Sequence, residues 1–526
     1  MQVEYICHAC LWIDTGEVRL LTDPWFQGAA YCGQWHLFPR PVDTGRARDA
    51  DWVLISHGHE DHLHGESLRS LPKGKRVFYP YYWYGGAKQY LSSLGFADVR
   101  EIGSFKTVPL GARTRVTFVS NYLDTIMVIE AGDRVLVDVN DALHANHPNV
   151  IEIFLRAIRK KWPRIDTVFC GFGGAHYFPN SVHVEGKDDE AIGRLREQLF
   201  VHNFCRIVQG LSPRVAVPFA ADFALLDPGK MWINLARFPR EEIPDYYREH
   251  FGGDGPTPTI LPMYPGDVLE DDTLVPQSPY RKEMRNDRLS HLIVEQYGEE
   301  IERRKAPRLI DQDSADQLRG KMEANIAART SLYDPALLGS LVFTVRVLDV
   351  AANNCYNVSF VDGHPVVRRA KTPLTNAALV IETHSRILRY GFASDWGGDA
   401  MLIGSGWEVF LRDPEAARNK LDVVCLRLLT RIPSAKQHML KKERVRAARY
   451  IAGTPLTRQW VGRYLLRRSK QRAIYDHELW LNRTKCEVCQ ACDIPLLDYD
   501  FSSALDPAAG DRPRAPRPVE GTLRKA

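Results

Sequence analysis

Features that mark several other classes of protein are scarce or missing in this 526-residue sequence. Its 10 cysteines are too few for a disulfide framework at this length, so reduced thiols or metal ligands are expected instead. No run approaches the ~18 uninterrupted apolar residues of a membrane span, and the first residues lack the basic and apolar regions of a signal peptide. The sequence therefore predicts a cytoplasmic protein with no membrane span.

Neither sign of charge is in excess, because 69 Lys and Arg face 65 Asp and Glu. The resulting net charge of +4 gives no reason to expect nucleic acid as a partner. What is present, 44% hydrophobic, 25% charged and 10% aromatic residues, is typical of a soluble globular enzyme. The length predicts three or four domain-sized units.

Changes in sequence pattern divide the chain into five parts. Residues 1–272 alternate short β-like runs with helical stretches and predict a layered α/β domain. Residues 273–335 are charged and helical in pattern and form a connector, whereas residues 336–430 predict a smaller α+β domain. Residues 431–500 form a basic helical segment, and residues 501–526, rich in Pro, Arg, Ala and Gly, are predicted to be disordered.

The smaller domain contains four β-rich runs, with Asp362-Gly363 as a two-residue hairpin turn between the second and third. Helices are predicted over 385–390 and 401–411. Together with Gly404-Ser-Gly406, this pattern loosely resembles sterol-carrier-like domains, which implies an apolar ligand or a filler beside an active site. Packing against the first domain is the alternative.

The basic segment has an uneven charge, with 15 Lys or Arg and three acidic residues between 431 and 485. Charge runs on helices are usually solvated faces, and a role in holding an anionic substrate or partner is the alternative.

The most informative segment begins where an apolar run, 52–55, leads into His57-Gly-His59-Glu-Asp61-His62. Side chains two residues apart at a strand end lie on one side, and Asp61 and His62 follow in the next turn. Four ligand-type side chains within six residues can enclose one or two transition metals. Imidazole suits zinc and iron, and a carboxylate favours iron or manganese. A polar loop that is merely rich in histidine is the alternative, and the spacing favours the metal site.

This motif resembles the signature of the metallo-β-lactamase fold superfamily. The resemblance implies an αββα sandwich over residues 1–272, followed by the smaller α+β domain and the basic helical C-terminal segment. It also implies that His57 and His59 bind a first metal and that Asp61 and His62 bind a second. Asp141 stands where that family has a bridging aspartate, with Asp138 just upstream as the fallback.

Further landmarks resemble one branch of the superfamily, that of the CMP-N-acetylneuraminate hydroxylases. They are Thr22–Gly28, Gly33–His36, Gly173–Pro179 and Leu211–Ala220, with a looser likeness at Gly404–Arg412. The paired Cys and His residues of that branch's Rieske domain are not in this sequence. We therefore expect a member of the branch that lacks the Rieske domain.

Two other ligand motifs of the superfamily are altered. The segment Asn121–Asp124 has no histidine where a third ligand motif is expected, and the last histidine motif is replaced by Pro218-Phe-Ala-Ala-Asp222. His176 is the leading replacement ligand. Weaker candidates are His144, His147, Asn121 and His183. His8 and Asp23 are expected to orient ligands rather than bind metal.

A cysteine triplet, Cys486, Cys489 and Cys492, has the Cys-x2-Cys-x2-Cys spacing of ferredoxin-type sites but no nearby fourth cysteine. An iron–sulfur cluster or a zinc site there is one interpretation, and clustered reduced thiols are the other. An oxygenase without a Rieske domain needs another electron source, and this triplet is the candidate within the chain.

Three functions remain open. The first is an iron-dependent oxygenase acting on an anionic small molecule, with one or two iron ions and an electron-donor protein as a partner. The second is a lactonase or phosphodiesterase, with zinc activating a water that Asp61 or Asp141 orients. The third is a metal-binding scaffold or inactive relative. We favour the oxygenase, with His57, His59, Asp61, His62, Asp141 and His176 as ligands and Asp61 and Asp141 as catalytic residues.

An aromatic run beside Gly85-Gly86 is predicted to line or cover the mouth of the pocket, and an aromatic patch packed against the second domain is the alternative. Its members are Tyr79, Tyr81, Tyr82, Trp83 and Tyr84.

Overall fold

Two sheets packed face to face form the first part of the chain in the computed structural model. The structure describes residues 1–122, 124–146, 148–174, 177–184, 186, 188–253, 257–284, 286–330, 338–393, 397–412, 424, 428–430 and 444–459. In spatial order, the eight-stranded sheet consists of Thr273–Val275, Val268–Glu270, Gln2–Cys7, Cys10–Asp14, Arg19–Thr22, Trp52–Leu54, Arg76–Pro80 and Asp98–Ile102. The seven-stranded sheet consists of Thr259–Ile260, Val215–Phe219, Thr167–Gly171, Arg134–Asn140, Asp124–Ala131, Thr114–Asn121 and Thr107–Pro109.

The facing surfaces of these sheets share one apolar core. Leu20, Leu54 and Phe78 from the first sheet lie in one buried cluster with Phe118 and Phe169 from the second. Strands buried on both faces read as continuous apolar runs, which is why the sequence shows them so clearly.

Helices cover the outer faces, which gives the predicted αββα layering. Helix Gly86–Ser93 lies on the first sheet, and helix Asp189–Leu211 lies on the second beside Pro148–Lys161. Asp188 begins the long helix by accepting a hydrogen bond from the backbone N–H of Ala191 at 3.0 Å.

Parallel strands bring the candidate site to one edge. Arg19–Thr22 pairs in parallel with Trp52–Leu54 in the first sheet, and Arg134–Asn140 pairs in parallel with Thr167–Gly171 in the second. The carboxyl ends of parallel strands meet at one edge, so the loops that follow them converge.

A six-stranded sheet forms the smaller α+β domain. In order, its strands are Val182–Val184, Trp407–Leu411, Leu379–Thr383, Phe343–Val347, Cys355–Val361 and His364–Ala370. Its first strand comes from the α/β part of the chain and pairs in parallel with Trp407–Leu411.

The helix predicted over 401–411 is wrong, because its second half is the strand Trp407–Leu411. Gly404 and Gly406 disfavour a helix, and Ser405 between them has a positive φ of 54°. Trp407, Val409 and Leu411 alternate with more exposed residues, which is the two-residue period of a strand.

Two helices of the charged connector pack on different domains. Asn286–Lys305 joins an apolar cluster with Phe38 and Leu226, whereas Gln312–Thr330 lies in the core of the six-stranded sheet. The strand Thr273–Val275 extends the first sheet just past the predicted boundary at 272.

Near the end of the described chain, helix Arg444–Gly453 and the short helix Pro455–Thr457 lie against the first domain. None of the helices in the described ranges is long and apolar enough to cross a membrane. The predicted disordered tail, 501–526, lies outside the described residues.

Candidate metal centre

Asp23, which follows strand Arg19–Thr22, holds the turn that carries the histidines in place through hydrogen bonds. The Asp23 carboxylate accepts hydrogen bonds from the Ser56 backbone N–H and from the Ser56 hydroxyl, each at 2.7 Å. The same hydroxyl lies 2.8 Å from Nδ1 of His57. The side chain of Asn140 also donates to Asp23, so this buried aspartate joins the ends of strands from both sheets.

One group of potential ligands consists of His57, His59 and Asp124, whose donor atoms all lie within 4.8 Å of one another. Nε2 of His57 is 2.8 Å from Nδ1 of His59 and 3.8 Å from Oδ1 of Asp124. Asp124 begins the strand Asp124–Ala131, at the turn of a hairpin with Thr114–Asn121. The hairpin therefore supplies a carboxylate where the sequence lacks the expected histidine.

A second group surrounds His62. Its Nε2 is 3.3 Å from Oδ2 of Asp61 and 3.4 Å from Oδ2 of Asp141, and its Nδ1 is 3.1 Å from Asp23. Oδ2 of Asp61 is also 3.0 Å from Nε2 of His8. His57, His62 and Asp141 form one set within 4.8 Å, and His8, Asp61 and His62 form another. His57 is therefore common to the sets that contain Asp124 and Asp141, and His62 is common to the sets that contain Asp141 and Asp61.

Charges in the cluster suit metal binding. Burial lowers the pKa of His57 well below its usual value, and the neighbouring imidazoles add to this, so His57 is neutral. Burial opposes ionisation of Asp61, but His62 and His8 hold its pKa well below the usual range. Burial likewise opposes charge on His62, while carboxylates led by Asp61 raise its pKa well above normal. In the absence of a metal, the carboxylates are stabilised by the proton on His62. A metal cation bound between these groups would supply that positive charge instead, and His62 would release its proton.

The donor atoms also fit a metal by their lack of other partners. Oδ1 of Asp141 is buried and has no hydrogen-bond partner among the described residues, and Nε2 of His62 is buried and faces the carboxylate oxygens of Asp61 and Asp141. Imidazole nitrogens and carboxylate oxygens are ligands that iron and zinc accept. The residues present therefore fit one or two transition-metal ions.

The predicted convergence of His57, His59, Asp61, His62 and Asp141 is found in the geometry, and their role as ligands remains a prediction. Two predicted cofactor features lie outside the described residues: His176, with the weaker candidate His147, and the triplet Cys486, Cys489 and Cys492.

The other weak candidates have different contacts. His183 lies 2.6 Å from Asp189 and stacks on Phe410. Asn121 donates to the carbonyl of Ala142 at 2.6 Å, and His144 Nε2 is 2.9 Å from the carbonyl of Gly173.

The sequence-based ligand set missed Asp124. The available signal was an acidic residue at a hairpin turn, at the end of the sheet where the histidine turn was expected. Asp222, which stands in the altered last motif, belongs to none of the ligand groups found among the described residues. It pairs instead with Arg240 at 2.5 Å. It also accepts the hydroxyl hydrogen bond of Tyr5.

The aromatic run lies beneath the histidine turn. Trp83 is 1% exposed and Tyr82 is fully buried, with its hydroxyl donating to the Ser56 carbonyl at 3.0 Å. A Cβ added at Gly58 would lie 2.8 Å from the hydroxyl of Tyr84 and 3.0 Å from that of Tyr79. These rings thus leave room only for glycine between the first two histidines, and they support the turn.

Comparison with known proteins agrees with this architecture. The family model of the beta-lactamase superfamily domain matches residues 2–148. Cytidine monophosphate-N-acetylneuraminic acid hydroxylase of Danio rerio is 29% identical over 246 residues, covering 44% of this chain and 39% of that protein. The human counterpart, described as inactive, is 26% identical over 250 residues, covering 44% of this chain and 47% of its own length. The chain thus spans less than half the length of these curated relatives.

The solved structures that match part of this chain include proteins titled as hydroxylases and as hydrolases. CmlA, a diiron β-hydroxylase from Streptomyces venezuelae, is 18% identical with a TM-score of 0.34, covering 51% of this chain and 53% of that one. An isothiocyanate hydrolase from Delia radicum gut bacteria is 14% identical with a TM-score of 0.35, covering 51% and 98%. The residues that the family model matches, 2–148, include the histidine turn, Asp124 and Asp141.

Proposed function

We propose that this chain is an iron-dependent oxygenase that hydroxylates an anionic small molecule. The observation that carries the proposal is the position of Asp124 beside His57 and His59. With Asp61 and Asp141, it makes a ligand set with three carboxylates. Carboxylate ligands favour iron over zinc, and a mixed histidine and carboxylate set with open positions suits oxygen chemistry.

The two groups of side chains would give two positions for iron. His57, His59 and Asp124 would hold one ion, and His62 and Asp61 would hold the other, with Asp141 beside both His57 and His62. Bound iron would supply the activation of oxygen. The protein's own part is to keep His57 neutral and Asp61 ionised. Ser56 and Asp23 hold His57 in place, and Tyr31 and His8 hold Asp61.

Hydroxylation inserts one oxygen atom of O2 into a C–H bond and releases the other as water. It therefore consumes two electrons and two protons from a donor. An electron-donor protein is the expected source, and a cluster at Cys486, Cys489 and Cys492 is the alternative within the chain. Similarity to hydroxylases of cytidine monophosphate-N-acetylneuraminic acid supports an anionic substrate.

The test is anaerobic purification followed by measurement of iron, zinc and inorganic sulfide. Turnover of cytidine monophosphate-N-acetylneuraminic acid is then measured with and without O2 and a chemical reductant. We expect bound iron and O2-dependent hydroxylation, both lost in His57→Ala. Inorganic sulfide that disappears when the three cysteines are replaced by serine would assign the cluster.

The Asp124→His variant is the sharpest control, because it restores a histidine-rich set. We expect it to take up zinc in place of iron and to lose hydroxylation. Zinc in the wild-type protein, with ester hydrolysis that needs no O2, would reject the oxygenase in favour of a metal-dependent hydrolase.

A further inference from the structure

Two arginines that lie a few side chains from the candidate metal centre have hydrogen-bond donors without partners. Arg196, on helix Asp189–Leu211, is 2% exposed. Its Nε and Nη2 have no hydrogen-bond partner within the described part of the chain, and neither has Nη2 of Arg237. Nη1 of Arg237 donates to the carbonyl of Ala221 at 2.9 Å, so one end of this guanidinium is hydrogen-bonded and the other end is buried without a partner.

Positive charge is in excess around these donors. The neighbouring acids are Glu197, which interacts with both arginines, and Asp222, which is close to Arg237. Asp222 is already paired with the buried Arg240 at 2.5 Å. One carboxyl, Glu197, therefore faces two guanidinium groups, and it also accepts a hydrogen bond from the backbone N–H of Gly174.

Aromatic contacts connect Arg237 with the metal ligands. Its guanidinium carbon lies 4.1 Å from the ring centre of Phe223, and that ring stacks on Trp35 at 3.6 Å. Trp35 meets Tyr31 at 4.9 Å, and the Tyr31 hydroxyl donates to Asp61 at 2.5 Å.

A second series of contacts leads from Arg196 towards the same ligands. Its guanidinium carbon is 5.3 Å from the ring centre of Phe200, which lies 5.6 Å from the ring of His144. His144 in turn acts electrostatically on Asp141. Both arginines thus stand a few side chains from the proposed ligands.

We propose that Arg196 and Arg237 bind an oxyanion group, a phosphate or a carboxylate, of the substrate. A guanidinium presents planar, paired N–H donors that match such groups, and a buried charge favours a ligand of opposite sign. The inference rests on the proposed function for the reaction that follows, because it makes this pair the substrate-binding arm of the same site.

The experiment is a calorimetric titration of the full chain with inorganic phosphate and, separately, with acetate. It is run on wild-type protein and on the His57→Ala background, where phosphate cannot be held by a metal that His57 binds. The variants are Arg196→Gln, Arg237→Gln and Arg196→Lys. Arg156→Gln is the matched control, since Arg156 lies on a neighbouring helix with a side chain that is 71% exposed.

We expect saturable phosphate or acetate binding that persists in His57→Ala and weakens at least tenfold in Arg196→Gln and in Arg237→Gln. Arg196→Lys should give an intermediate affinity, and Arg156→Gln should bind as wild type does. The anion that binds more tightly shows whether the site takes a phosphate or a carboxylate group of the substrate. Thermal unfolding of each variant shows whether the variant is still folded. If Arg196→Gln does not fold, the affinity of Arg237→Gln still tests the proposal.

Anion affinity that is unchanged in both glutamine variants, or no binding of either anion by wild type and His57→Ala, would overturn the proposal. Zinc content with O2-independent turnover would reject the oxygenase and leave this anion site standing, so the two failures are distinguishable.

Discussion

At the scale of single residues, the Asp61 carboxylate is held at both oxygens. The Tyr31 hydroxyl donates to Oδ1 at 2.5 Å, and Nε2 of His8 lies 3.0 Å from Oδ2. Groups that orient a ligand in this way contribute to metal affinity, because they fix the direction in which the ligand atom points. Asp61 is therefore presented to a metal in one orientation.

We predict that Tyr31→Phe lowers metal affinity about 10-fold to 100-fold, because the variant removes the donor while keeping the ring that contacts Trp35. Competition with a chelator measures the effect. Tyr356→Phe is the control, since that hydroxyl donates to Ala315 within the smaller domain. Equal metal retention in both variants would show that Tyr31 does not orient Asp61.

Glu197 makes stability depend on pH. Burial raises its pKa to about 7, although Arg237 and Arg196 lower it. The folded state therefore keeps a proton that the unfolded chain has lost between its ordinary pKa of 4.5 and about 7. The contribution of this group to stability is full below that window and falls as pH rises through it, by at most roughly 3 kcal/mol.

Glu197→Gln removes this titration. We expect the free energy of unfolding of the variant minus that of wild type to increase from pH 4.5 to pH 8, because only wild type loses stability as Glu197 ionises. Urea unfolding at both pH values measures the difference. A difference that is constant across this range would contradict the raised pKa.

At the scale of elements, helix Arg444–Gly453 closes one side of the first domain. Arg446 pairs with Glu101 and its guanidinium lies 4.3 Å from the ring centre of Tyr81. The Tyr450 hydroxyl donates to the carbonyl of Tyr122 at 2.6 Å, two residues before Asp124. The helix thus supports the hairpin turn that delivers Asp124.

We predict that Arg446→Ala weakens docking of this helix by about 2 kcal/mol, because hydrogen bonds to a charged group are lost and Glu101 is left partly buried. Hydrogen exchange in 444–457 should accelerate. The exposed Arg449 on the same helix supplies the control variant, Arg449→Ala. Equal exchange rates in the two variants would show that the ion pair does not hold the helix.

At the scale of the whole molecule, the two domains share a sheet and a buried lysine. Strand Val182–Val184 completes the six-stranded sheet. Lys230, 5% exposed, donates to the carbonyl of Ser405 and to that of Trp407, the latter at 3.3 Å. Unfolding one domain would therefore remove hydrogen-bond partners from the other.

We predict that Lys230→Met lowers the free energy of unfolding by about 1–3 kcal/mol, since it leaves two buried carbonyls without a donor. Unfolding in urea, followed by circular dichroism and tryptophan fluorescence, should give one transition for wild type with both signals. Two separate transitions would show that the domains unfold independently.

The sequence by itself determined the local features. The apolar run 52–55 predicted a strand end ahead of the histidines, and the structure has the strand Trp52–Leu54 there, because strands buried on both faces require continuous apolar residues. The spacing of His57, His59, Asp61 and His62 predicted a cluster, because neighbours in sequence at a strand end are neighbours in space.

Only the tertiary structure decided which distant residues complete that cluster. Asp124 joins it through a hairpin, His8 through a strand turn, and Tyr31 through the contact of its hydroxyl with Asp61. No local period encodes these meetings, since they depend on how two sheets stack. The same reason explains strand Trp407–Leu411, whose apolar run fits either a helix or a strand until Val182–Val184 and Leu379–Thr383 pair with it.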